Sequence, residues 1–182
     1  MPRGQHWSTV WPSAIALSRW LIAQTSFDGS TDSKELGCGT GLVSMTLSHL
    51  GWRAEATDNV GAALSLASIN AAANDVEVSV SHLEWAEPEG ASSSFILGSD
   101  IVYEAGAPAW LFGLIETSRM LRPDGQLVLA CPAARRDLLD ELKVAFTAVG
   151  YSHREEAQET DWRGRSQQID IHVFRRPSGS AP

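Results

Sequence analysis

The sequence predicts an α/β fold: an open, mostly parallel sheet of seven strands, with helices on both faces and an antiparallel hairpin at its end. Three observations carry this. Short apolar segments of strand length alternate with segments whose apolar residues recur at helical spacing. A glycine turn, Gly37-Cys38-Gly39-Thr40-Gly41, stands ahead of a helical stretch, as it does where a backbone turns sharply against a ligand. Near the C-terminus two strand-like segments follow one another with no helix between them.

The first helix opens at Val10-Trp11-Pro12, with proline in the first turn, and runs to about residue 24. Ala14, Leu17 and Leu21, with Ile15 and Ile22, form its apolar stripe. Residues 26–34 read as a loop, and only Leu36 is strongly apolar in the segment that enters the glycine turn. A strand buried on both faces is ordinarily apolar throughout. The first strand is therefore expected to be short or poorly formed.

Leu42-Val43-Ser44-Met45-Thr46-Leu47 continues as a helix stopped at Gly51, and residues 52–57 give a second strand ending at Asp58. Ala62, Leu66, Ile69 and Ala73 predict an amphipathic helix over 60–74. Val76, Val78 and Val80 alternate as a third strand, and 86–94 form a Pro/Gly/Ser loop. Residues 95–99 are the fourth strand. A helix over 109–121 follows, with Leu111, Leu114, Ile115 and Leu121 inward, ended by the turn signal Arg122-Pro123-Asp124-Gly125. Residues 126–130 make the fifth strand, and 137–149 a helix with Leu138, Leu142, Ala145 and Phe146 on one side. The last two strands are 151–156 and 167–175, joined near Asp161-Trp162-Arg163-Gly164-Arg165. Ile169, Ile171 and Val173 alternate with polar residues, as in a strand with one exposed face.

The 182 residues make one domain over 10–176, with a flexible arm at 1–9 and a disordered tail at 177–182. A hydrophobic share of 43% excludes disorder, collagen and coiled coil. No apolar run reaches membrane-span length and no signal pattern opens the chain. Two cysteines make no disulfide framework, so a cytoplasmic, reducing setting is expected. A net charge of −8 argues against nucleic acid as partner. His6, His49, His82, His153 and His172 form no ligand-spaced pair, so no metal is expected.

The glycine turn fails the dinucleotide fingerprint, because Leu42 stands where the third glycine belongs. It also lacks the Lys-Ser or Lys-Thr of a phosphate loop. What remains is an acid followed by alternate glycines: Glu35-Leu36-Gly37-Cys38-Gly39-Thr40-Gly41. Asp58 lies twenty-one positions after Gly37, where a carboxylate at the end of the second strand can hold ribose hydroxyls. The sequence also permits it as an N-cap for the next helix, and the two roles are compatible. Cys38 reads as a small residue in the turn rather than a nucleophile.

This motif resembles motif I of the class I S-adenosylmethionine-dependent methyltransferases. Val10-Trp11-Pro12-Ser13-Ala14 ahead of it, and Asp100-Ile101-Val102-Tyr103 after the fourth strand, resemble the lysine-methyltransferase-like family of that class. The resemblance covers about residues 10–175. It implies a Rossmann-like seven-stranded sheet and S-adenosyl-L-methionine as cofactor. It places Glu35, Gly37, Cys38 and Gly39 at the cofactor and Asp58 on its ribose. Trp11 would line the pocket, Trp85 would stack on the adenine, and Ser99 would border the cofactor. Asp100 would engage the target side chain beside Tyr103. On residue type alone, Trp11 could instead be a core or staple tryptophan and Trp85 a surface residue in a loop. Asp100 could cap a helix, and Tyr103 could be core.

Methyl transfer from a sulfonium is an in-line displacement that needs alignment and exclusion of water, without metal or covalent intermediate. A lysine acceptor must first lose a proton, which at pH 7 costs roughly 4.6 kcal/mol for a reference pKa near 10.4. A carboxylate at Asp100 can orient the amine, and a tyrosine face attracts a cation. Yet a carboxylate also raises the amine's pKa, so orientation is its first role and proton acceptance its second. The expected function is N-methylation of a lysine side chain of a protein. The alternatives are a small-molecule amine, an arginine or a nucleobase amine as acceptor, or a non-catalytic binding module. Nucleobase enzymes often carry two prolines where Ile101-Val102 stand, which ranks nucleic acid low.

Overall fold

The computed structural model describes residues 6–24, 31–86 and 91–179. Its strands are β1 (Asp32–Leu36), β2 (Arg53–Asp58), β3 (Ser79–His82), β4 (Ser93–Ser99), β5 (Leu121–Pro132), β6 (Ser152–Trp162) and β7 (Arg165–Arg175). They form one sheet in the order β3-β2-β1-β4-β5-β7-β6. Pairing is parallel throughout except at β7, which is antiparallel to both β5 and β6. The helices are α1 (Pro12–Ala23), α2 (Leu42–His49), α3 (Gly61–Ala73), α4 (Ala107–Phe112) and α5 (Arg136–Ala148). A π-helical turn, Gly113–Thr117, continues α4.

Each sheet face has its own core. Leu17 and Leu21 of α1 and Val43 and Leu47 of α2 pack on Phe95, Leu97, Val128 and Ile171. On the other face Leu111 of α4 and Leu142 and Phe146 of α5 cover Ile96, Leu127, Leu129 and Phe174. The direction of winding changes between β1 and β4, so the carboxyl ends of these strands form the crevice where ligands gather.

β1 is a full five-residue strand, paired with β2 on one side and β4 on the other. This corrects the expectation of a poor strand and takes residues 32–34 out of the expected loop; residues 26–30 lie outside the described residues. Ser33, Lys34 and Glu35 are all buried, and each polar group has a partner. Ser33 Oγ donates to the Arg53 carbonyl at 3.1 Å, Lys34 Nζ meets Glu55 at 3.0 Å, and Glu35 accepts from Ser44. Burial was tolerated by pairing rather than by apolarity.

α3 turns a different face inward from the one its larger apolar residues suggest. Ala63, Ala67 and Ala71 are buried while Ile69 is exposed. The helix lies so close to the glycine turn that a Cβ on Gly41 would stand 2.9 Å from the Ala67 Cβ, and only small residues fit. Val76 and Val78 precede β3 rather than belonging to it.

Leu121 belongs to β5, not to the helix before it. Pairing steps from Ser93↔Leu121 to Phe95↔Gln126, so Arg122-Pro123-Asp124-Gly125 bulges out within one strand. The turn chemistry is real there, with Asp124 in the left-handed region. α5 buries Leu139, Leu142 and Phe146, with Leu138 only half-buried.

The terminal hairpin is longer than predicted. Its connection is Arg163-Gly164, both with positive φ (50° and 74°), as a two-residue type I′ turn requires. β7 is buried on both faces, since Asp170, His172 and Phe174 are covered as well as Ile169, Ile171 and Val173. It lies between β5 and β6 with α1 on one face and α5 on the other. Among the described residues no helix is long and apolar enough to cross a membrane. Of the expected arm, residues 1–5 lie outside the described residues, while His6–Ser8 forms a 3-10 turn. Residues 87–90 and 180–182 are likewise outside.

Candidate active site

The glycine turn leaves β1 and enters α2 through three left-handed glycines: Gly37, Gly39 and Gly41, at φ 62°, 50° and 79°. An L side chain resists this region. A Cβ on Gly37 would also stand 2.9 Å from Ile101, so the turn and the segment after β4 touch. The Cys38 N–H donates to the Thr57 carbonyl at 2.9 Å, and Asn70 Nδ2 donates to the Thr40 carbonyl at 2.9 Å. The turn is thereby tied to β2 and α3.

Asp58 completes it. Its Oδ2 accepts from the Gly39 N–H at 3.0 Å, and its Oδ1 accepts from the Val60 N–H at 2.9 Å. The N-cap position of α3 is Val60, so Asp58 is no cap; it fixes the turn and keeps spare lone pairs on both oxygens. Glu35 lies beneath the turn, its Oε2 accepting from the Ser44 N–H (2.8 Å) and Oγ (2.5 Å). Burial pushes its carboxyl up to about 7 despite those hydrogen bonds. Glu35 thus joins β1 to α2 from below. Cys38 is buried, and desolvation together with Glu35 and Asp58 pushes its thiol up. Both effects favour the protonated thiol over the reactive thiolate.

Across the crevice, β4 ends at Ser99, half-buried opposite Ala130, and Asp100 takes φ 58°. The Asp100 N–H donates to the Ala130 carbonyl at 2.8 Å, which fixes this conformation. Its carboxylate, 10% exposed, is ion-paired with Arg135 from the turn that follows β5. Burial raises the Asp100 carboxyl, and Arg135 partly offsets this. The Arg135 guanidinium also lies 5.7 Å from the centroid of the Tyr103 ring. α4 begins at Ala107 with Gly106 as its N-cap, so Asp100 caps no helix. Tyr103 is 62% exposed and is not core.

Trp11 stands at the N-cap of α1 and stacks on Trp162 at the tip of the β6–β7 hairpin, with centroids 5.8 Å apart and planes at 27°. Its Nε1–H donates to the His6 carbonyl at 2.9 Å, and Trp162 Nε1–H donates to the Val10 carbonyl at 3.1 Å. These contacts hold the N-terminal segment over the site: the Trp7 carbonyl lies 2.8 Å from where a Cβ on Gly39 would be. Trp85 is half-buried against the α4/α5 core, two residues past Leu83, whose N–H donates to the Asp58 carbonyl at 3.2 Å.

The structure therefore gathers Glu35, Gly37, Cys38, Gly39 and Asp58 around one turn, with Ser99, Asp100 and Tyr103 beside it through Ile101. Trp11 is linked to the turn by the N-terminal segment. Sequence reading missed Arg135, Trp162 and Trp7. Arg135 carries one available signal: it lies three residues past the carboxyl end of β5, a strand that runs parallel to β4.

The donor set suits a ligand that carries hydroxyls and positive charge. Asp58 offers carboxylate oxygens beside a turn without Cβ atoms, and Asp100 adds a second carboxylate at the same edge. S-adenosylmethionine, with ribose hydroxyls, an ammonium and a sulfonium, has this chemistry.

Comparisons with known proteins agree. The family model described as lysine methyltransferase matches residues 5–142. The chain is 33% identical over 188 residues to protein N-lysine methyltransferase METTL21A of Danio rerio, covering 92% of this chain and 76% of the relative. It is 27% identical over 180 residues to the Xenopus tropicalis protein of the same name, again covering 92% and 76%. Magnesium protoporphyrin IX methyltransferase from Synechocystis PCC 6803 with bound SAM shares the fold. Its TM-score is 0.70 at 18% identity, over 90% of this chain and 78% of that one. So does a SAM-dependent methyltransferase from Methanosarcina mazei, with TM-score 0.71 at 14% identity over 87% and 98%. The chain belongs to the lysine methyltransferase family and is a class I S-adenosylmethionine-dependent N-methyltransferase.

Proposed function

We propose that this enzyme methylates a lysine side chain presented on the surface of a protein, with Asp100, Tyr103 and Arg135 receiving the amine. The observation that carries this reading is the constellation itself: a nearly buried carboxylate, an exposed tyrosine ring and a guanidinium that touches both.

Bound S-adenosylmethionine supplies a methyl group on a sulfonium, open to in-line displacement. Asp58 would accept hydrogen bonds from the ribose hydroxyls, while its bonds from the Gly39 and Val60 N–H groups hold the glycine turn in place. Asp100 accepts a hydrogen bond from the incoming amine through Oδ2, since Arg135 engages Oδ1. That bond aims the nitrogen lone pair. Tyr103 covers the amine and keeps water away.

Arg135 resolves a conflict in this arrangement. A lone carboxylate would hold the acceptor as ammonium and oppose its deprotonation. The guanidinium offsets part of that field, so the ammonium can give up its proton to solvent water before Asp100 orients the neutral amine. Tyr103, more than half exposed, gives the acceptor side an open aromatic face, which suits a protein better than a small free amine. The free thiols of Cys38 and Cys131, both buried, fit a reducing cytoplasm.

The test is incubation of the purified enzyme and labelled S-adenosylmethionine with cell-extract proteins, followed by amino-acid analysis. Label on methyllysine supports the reading. Label confined to small molecules or to arginine overturns it.

A further inference from the structure

We infer that His153, His172 and Glu155 form a binding site for a divalent transition-metal ion, of which zinc fits the donor set best, on the face of the terminal hairpin that α5 covers. The site is independent of the methyl-transfer reading.

The sequence hides it. His153 and His172 lie nineteen residues apart, a spacing that offers no ligand pair, but the hairpin folds them together. In register, Glu155 stands opposite His172, and His153 stands two residues before Glu155 on the same face of β6. The His153 Nε2 and His172 Nδ1 atoms are 3.1 Å apart. Two nitrogens each about 2.0–2.1 Å from a zinc ion would sit at that separation for an angle near 100°, close to tetrahedral. The Glu155 carboxylate is 4.0 Å from His172 Nδ1, and all three ligand atoms lie within 4.8 Å of one another. Glu155 is 35% exposed and can close the remaining gap by a change of rotamer, which leaves a fourth position for water. Two imidazoles and a carboxylate are a known zinc set.

The surroundings favour the ligand forms. Burial lowers the pKa of both histidines; His172 and then Lys143 lower that of His153 further, Lys143 also lowers that of His172, and Glu155, Asp140 and, for His172, Asp170 oppose. Asp170 is held by Arg136 at 2.7 Å and Gln168 at 2.7 Å. Three carboxylates (Glu155, Asp140, Asp170) face two cations (Lys143, Arg136), so the neighbourhood does not repel a cation. The cluster lies near the start of β6, and Trp162 closes the other end of that strand. An ion here would fasten the edge strand β6 to β7 without touching the chemistry.

The test uses the full chain after chelator treatment, titrated with Zn²⁺ against a chromophoric chelator and separately with Co²⁺. The result expected is one ion per chain, a raised Tm and the visible absorption of cobalt in a low-symmetry nitrogen–oxygen site. His172 is buried, so its replacement could unfold the protein. The decisive variants are His153→Ala and Glu155→Gln at the half-exposed and exposed positions, each expected to weaken binding about tenfold or more. His82→Ala is expected to change nothing. Absence of binding by the wild-type chain would leave a neutral N–H···N pair and overturn the proposal. Binding unchanged in both variants would place the ion elsewhere and overturn it equally.

Discussion

Asp100, in the left-handed conformation at the end of β4, is ion-paired with Arg135 from the turn after β5. The two reach each other because β4 and β5 are adjacent and parallel, so their carboxyl ends open on the same crevice. The pairing predicts a pH effect. In Arg135→Ala the uncompensated Asp100 carboxylate raises the acceptor's pKa. The acidic limb of the kcat/KM profile should move up by about one to two pH units. Arg135→Lys should keep the wild-type limb. An unmoved limb in Arg135→Ala would show that charge balance is not its role.

Glu35 predicts a stability effect with a definite sign. Its carboxyl rises from the ordinary 4.5 to about 7 in the fold, chiefly through burial. The folded state therefore holds the proton more tightly than the unfolded chain. The stabilisation is complete below about 4.5 and is lost as pH rises through about 7. Glu35→Gln removes this dependence, so the wild type should lose about 3 kcal/mol relative to the variant across that window. The comparison with the variant matters, because His153 and His172 have lowered pKa values and act in the opposite sense. Urea unfolding of both proteins at the two ends of the window measures it; parallel curves would refute the assignment.

Gly39→Arg should abolish cofactor binding. The residue has φ 50° and its side chain would meet the Trp7 backbone, so the turn and the segment above it must both shift. Gly51 makes the control: its φ is 88°, but nothing lies within 4 Å of an added Cβ. Gly51→Ala should cost about 1–2 kcal/mol of stability and leave affinity for S-adenosylhomocysteine intact. Calorimetric titration of the two variants distinguishes a site glycine from a conformational one.

Much of the fold was legible, and the misses share causes. Helical spacing located α1, α2, α3 and α5 because apolar periodicity there reflects burial. β1 misled because Ser33, Lys34 and Glu35 are buried as paired polar groups, which no hydropathy pattern reveals. α3 misled because close approach to Gly41 selects alanine, so its larger Leu66 and Ile69 are not on the buried stripe. The glycine turn and Asp58 stand out by spacing from strand ends, and Asp100 and Tyr103 by the resemblance of their segment to the family's; the structure brings these segments to one edge of the sheet. Arg135, Trp162 and the paired histidines were not legible, since they join the others only through strand order and hairpin register.

The polar strand has its own test. Lys34 is buried while its partner Glu55 is about one-third exposed, so Glu55 can turn to water if the pair is lost. Lys34→Met, which keeps the volume of the stem, should cost no more than about 1–2 kcal/mol. Lys34→Ala adds a cavity and should cost about 2–4 kcal/mol. Equal costs in urea unfolding would mean that packing of the stem contributes nothing.

The most direct measurement of the central claim is methyl transfer by Asp100→Ala beside the wild type, with S-adenosylhomocysteine affinity measured on the same samples. Affinity is expected to be the same in both, and methyllysine formation by the variant to be reduced at least about a hundredfold relative to the wild type. Methyllysine formed at the wild-type rate by Asp100→Ala would contradict the claim.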